Sequence, residues 1–75
     1  MTDQEIIARC AARLGLSDEA FDPINNEDDL CKLIAAFQGD VDLSVLWEQA
    51  QGETEAARKA AFHRAAAEAF AAAGA

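Results

Sequence analysis

Two clusters of oxygen-bearing side chains and one isolated imidazole are the residues of this chain whose types could do chemistry. Asp40, Asp42 and Ser44 stand at positions 1, 3 and 5 of a calcium-loop spacing. The geometry fails further on, because position 6 is Val45, where the loop needs glycine for its sharp turn, and position 12 is Gln51, where it needs a bidentate glutamate. The bland role for these side chains is to cap whatever element follows. Glu27, Asp28 and Asp29 could pair for acid–base work, but a run of carboxylates in a first helical turn is also what the positive end of a helix dipole favours. His63 has no second histidine, and Cys10 and Cys31 show no CxxC spacing. A zinc site or a cysteine–histidine nucleophile therefore has no sequence signature. The chain reads as non-catalytic, with no metal and no cofactor.

The elements that must carry these residues follow from caps and periodicity. Thr2-Asp3-Gln4-Glu5 has the pattern of a capping box and predicts a helix from Asp3 to Leu14, with Ile6, Ile7, Cys10, Ala11 and Leu14 on one face. Gly15 supplies its left-handed end, and Leu16 is placed to cover it. Ser17-Asp18-Glu19 can open a short helical turn through Phe21, and Asp22-Pro23 then forces extended backbone. That loop pins Phe21 and Ile24 to the core.

Asn25 or Asn26 caps a second helix bearing the stripe Leu30, Leu33, Ile34 and Phe37, which Gly39 ends. Val41 to Trp47 fits two periods. With period two, Val41, Leu43, Val45 and Trp47 line one face of a strand, which needs a ladder partner from a dimer or another protein. With period 3.6, Leu43, Leu46, Trp47 and Ala50 form a helical stripe capped by Asp40 or Asp42. The helix needs no partner and is preferred. Thr54 can cap a final alanine-rich helix to about Ala73, with Glu55 and Lys59 as an i, i+4 pair and with Phe62, Ala66, Ala69, Phe70 and Ala73 on one face. The expected fold is a single, mainly α domain over 1–75, a bundle of three to four helices. An α-β-α arrangement with Val41–Trp47 paired across a dimer is the alternative.

Composition narrows the partners. The chain has 75 residues and a net charge of −8. Residues 16–57 hold eleven acids against Lys32 alone, a local charge of −10, whereas 1–15 balance and 58–75 carry +2. Such a middle repels nucleic acid and anionic membrane, and suits a basic protein surface. A domain this short supplies at best about 3 to 5 kcal/mol of net stability from its core, so a partner or a second copy is a reasonable expectation. With no membrane-spanning run and no leader pattern, the protein is expected to be soluble and cytoplasmic in a bacterial host, with Cys10 and Cys31 as buried thiols. The candidate binding residues are the acids Asp18, Glu19, Asp22, Asp40 and Asp42, with Phe21 or Trp47 as apolar anchor. Tryptophan is both a core keystone and a favoured interface residue, and the sequence leaves Trp47 open between them.

Phe21-Asp22-Pro23-Ile24-Asn25-Asn26-Glu27-Asp28-Asp29-Leu30, running into Leu33, resembles the proline turn, acidic turn and leucine-bearing helix start of small phage and prophage proteins of the ABA-sandwich type. Ala57-Arg58-Lys59-Ala60-Ala61 through Ala65-Ala66-Ala67-Glu68 is similar to the arginine- and alanine-rich helix that closes them. The resemblance covers about a third of the chain. It implies a phage or prophage origin, a β-rich middle that only Val41 to Trp47 could represent, and a largely uncharacterised role with no catalytic residues to carry over. Leu14-Gly15-Leu16 and Asp22-Pro23 are also similar to the opening of acyl carrier proteins, but no Asp-Ser-Leu follows to bear a phosphopantetheine. The two functions left standing are an inhibitor or adaptor that binds a host or phage protein, and a self-associating assembly protein.

Overall fold

The computed structural model describes residues 1–74 and contains four helices. They are α1 (Asp3–Leu14), α2 (Glu27–Phe37), α3 (Leu43–Gln49) and α4 (Glu55–Ala73), with a 3-10 turn, Gln38–Asp40, between α2 and α3. Each helix start is built by a side-chain oxygen that takes up an orphan backbone donor. Thr2 accepts from the Glu5 N–H, Asn26 from those of Asp28 and Asp29, Asp42 from Ser44 and Val45, and Thr54 from Ala57. Gly15 closes α1 at φ 69°, and its N–H reaches back to the carbonyls of Ala11 and Ala12. A left-handed position of this kind favours glycine.

α4 is the axis of the molecule, and α1, α2 and α3 each pack on it. The register of the contacts gives the directions. Along α1, Asp3 pairs with Arg64, the Cys10 thiol donates to the Ala67 carbonyl, and Arg13 donates to the Phe70 carbonyl, so α1 and α4 run parallel. α2 runs the same way, since Glu27 meets Lys59 while Phe37 lies under Arg13 near the end of α4. α3 returns toward the start of α4, where Trp47 meets Arg58 and Phe62. A helix with neighbours on several sides needs no single apolar face. Alanine suits that place because its small side chain lets other helices come close.

The core consists of Ile6, Cys10 and Ala11 of α1, Phe21 and Ile24 of the loop, Leu30 and Leu33 of α2, and Ala66, Ala67, Phe70 and Ala71 of α4. The mainly α fold of four helices and the preferred helical reading of the Val41–Trp47 segment hold, since Asp42 caps Leu43 to Gln49 as helix; only the alternative strand falls, as no strand occurs among the described residues. Several expectations are corrected. At 17–21 the Ser17 hydroxyl accepts from the Glu19 N–H and caps a single turn at 18–19, which does not extend into a helix through Phe21. Leu16 is 45% exposed and covers nothing. α2 stops at Phe37, two residues before Gly39. The inner side of α4 includes Ala67 and Ala71, while Ala73 is exposed, because α1 lies along 64–71. Lys59 pairs with Glu27, at 3.2 Å, in place of Glu55. Cys31 is exposed, and only Cys10 is buried.

Candidate functional site

The loop that joins α1 to α2 holds four of the candidate binding residues and divides them. Asp18 and Glu19 ride on the exposed bend at Ser17 and make no ion pair. Asp22 folds inward on the chain: one carboxylate oxygen accepts from the backbone N–H groups of Ile24 and Asn25, the other from the Asn25 side chain. This local turn seats Pro23 and Ile24 on the core. Phe21 is 4% exposed and belongs to that core. The loop is clasped from below by Asp29, which accepts from the Asp22 N–H at 3.0 Å and pairs with Lys32 at 3.2 Å. The Asp22 N–H, with Lys32 in support, holds the Asp29 carboxyl below its ordinary range against the opposing effect of burial.

Asp40 and Asp42 also serve the fold. Asp40 pairs with Arg13 at 2.8 Å. The same guanidinium donates to the Phe70 carbonyl at 3.0 Å and stacks 3.8 Å from the centre of the Phe37 ring, so one side chain joins α1, α2, the 3-10 turn and the end of α4. Asp42 caps α3, accepting from Ser44 and Val45 at 3.1 and 3.3 Å. Neither residue presents an uncommitted carboxylate. The charge of Asp42 nonetheless remains exposed and has no cation in contact.

Trp47 lies between the two roles that its sequence position allows. It is half-buried and is not part of the core cluster. Its ring meets Phe62 edge to face, with centroids 5.5 Å apart and planes at 89°. The Arg58 guanidinium sits 4.1 Å from the ring centre, and its Nη2 donates to the Trp47 carbonyl at 2.7 Å. On the opposite side of α3, Val45 is 42% exposed. The helical stripe Leu43, Leu46, Trp47 and Ala50 already turned Val45 outward, which is the signal that could have found it. Glu48, Glu53 and Glu55, together with Asp28 at the start of α2, are exposed acids with no ion pair and extend the charged surface beyond the residues picked from sequence.

Two shallow hollows complete the surface. One, of about 510 Å³, is lined by Arg9, Ala12, Arg13, Ala71 and Gly74. The other, of about 300 Å³, lies between the start of α2 and α4 and is lined by Ile24, Asn25, Glu27, Ala56, Lys59, Ala60 and His63. His63 is half-buried beside Phe62, their rings 5.9 Å apart. Burial pushes the Cys10 thiol up to about 11, with Arg13 offsetting a part, so at neutral pH it is a protonated donor to the Ala67 carbonyl. Among the described residues no three histidine, cysteine or carboxylate side chains gather as metal ligands, and no helix is long and apolar enough to cross a membrane. Of the α4 face read from the sequence, Ala66 and Phe70 are buried within the chain, Phe62 and Ala69 are half-buried and Ala73 is exposed. Compared with known proteins, the chain matches no family model, no curated protein and no solved structure.

Proposed function

We propose that this chain is a small non-catalytic binding protein of phage type that docks its acidic surface on a basic surface of a host or phage protein, such as one shaped to hold nucleic acid. One observation carries the reading. Of the fourteen acidic side chains only Asp3, Glu27, Asp29, Asp40 and Glu68 are ion-paired within the chain, and most of the remaining nine are exposed. Folding therefore does not neutralise the acidity of the middle segment. A basic partner would, and charge complementarity of this kind speeds encounter and makes it salt-sensitive.

Asp18 and Glu19 are the two sequence-picked acids with no side-chain role in the fold, and they are the place to test the reading. Wild-type protein and the double variant Asp18→Lys, Glu19→Lys are immobilised and exposed to bacterial lysate at low and high salt. The expected result is a basic protein held by wild type, lost at least several-fold at high salt, and held weakly by the variant. A partner retained equally under all these conditions, or one with no basic surface, overturns the electrostatic docking.

A further inference from the structure

The buried side chains are distributed unevenly along the chain. Every member of the core cluster lies in α1, in the turn at 21–24, in α2 or in residues 66–71 of α4, and residues 38–65 contribute none. α3 has no buried residue. Val41, Leu43 and Leu46 touch the core only as half-buried side chains, and Trp47 and Phe62 form a separate contact outside it.

The polar and aromatic ties between α3 and α4 converge on one residue. The Phe62 ring edge, the Arg58 guanidinium over the indole and the Arg58 bond to the backbone carbonyl all end on Trp47. α3 is seven residues long, well short of the length at which a helix persists alone in water. The Arg58 Nε is enclosed in this contact and has no hydrogen-bond partner among the described residues. Opening returns that donor to water.

Both ends of the segment are fixed independently of Trp47. At one end Asp40 is held by Arg13. At the other, Gly52 lies flat on the first turn of α4, where a Cβ would stand 2.5 Å from the Arg58 backbone nitrogen. The chain between these points meets the core only through the half-buried Val41, Leu43 and Leu46.

We propose that residues 41–51 are a hinged flap, which leaves α4 in one cooperative step while the core of α1, α2 and α4 stays folded, uncovering Trp47, Phe62, Leu43 and Leu46. The step is a sub-global opening, drawn from the region with the fewest buried apolar contacts. It requires no ligand, and it stands whether or not the acidic surface docks on a basic protein.

The sequence supplies its own reporter, because Trp47 is the only tryptophan and there is no tyrosine. In a urea titration the Trp47 emission is expected to shift to the red at lower urea than the loss of helical ellipticity. In native-state amide exchange, the amides of Leu46 to Ala50 are expected to share one opening constant, at least ten-fold larger than that of the amides around Cys10 and Ala67. Arg58→Ala should move the fluorescence transition to lower urea and leave the ellipticity midpoint in place. Coincident transitions in both proteins, or exchange graded along α3 as in end fraying, overturn the flap.

Discussion

At the residue scale, Asp29 shows how an acidic side chain can be part of the fold in this otherwise over-charged chain. It is 7% exposed, yet it is ionised, because the Asp22 N–H and Lys32 favour the charged form more than burial disfavours it. The sign of its pH effect follows. A carboxyl whose pKa is lower in the folded state contributes stability above its unfolded pKa, and that contribution is lost as pH falls through the folded value. Asp29→Ala is expected to cost about 1.5 to 3 kcal/mol at neutral pH, the usual range for a hydrogen bond to a charged group. Urea denaturation of both proteins from pH 7 to pH 2 checks this: the gap should be full at neutral pH and shrink below the ordinary aspartate range of about 4. A gap that is constant with pH would mean that packing, and not charge, carries the effect.

At the scale of elements, α4 turns on the small size of its inner residues. Ala66 and Ala67 are fully buried, and the Cys10 sulfur reaches the Ala67 carbonyl at 3.3 Å, a spacing that a larger neighbour would not allow. Ala67→Leu should destabilise by about 1 to 3 kcal/mol through overpacking, although leucine is an excellent helix former. The same change at exposed Ala61 should be nearly neutral, and thermal melts of the two variants make the comparison. This helix also marks where the sequence stopped being legible. The caps at Thr2, Asn26, Asp42 and Thr54 are local chemistry and could be read directly, as could the stripes of leucine and isoleucine. An alanine looks the same inside and outside, so only the neighbours of α4 decide which of its alanines are buried. Asp40 is similar: its partner Arg13 is 27 residues away, and no local pattern announces such a pair. Among the binding candidates, Phe21 lies in the core, and Asp22, Asp40 and Asp42 also serve a turn, an ion pair and a cap.

For the whole molecule, the parallel course of α1 and α4 places Arg13 where four segments meet. The separations it closes are long, 27 residues to Asp40 and 57 to the Phe70 carbonyl. Closing such loops costs chain entropy before the contacts reward it, so these bonds are expected to form after the local helices. Arg13→Lys keeps the charge but loses the planar fork and the stacking on Phe37, at a cost of about 1 kcal/mol. Stopped-flow mixing should show that cost almost wholly as several-fold faster unfolding, with refolding unchanged. A slower refolding limb would place the junction in the folding nucleus. A residue that looks like a static clamp thus has an expected second description in time: little part in finding the shape, and a large one in how long the shape lasts once found.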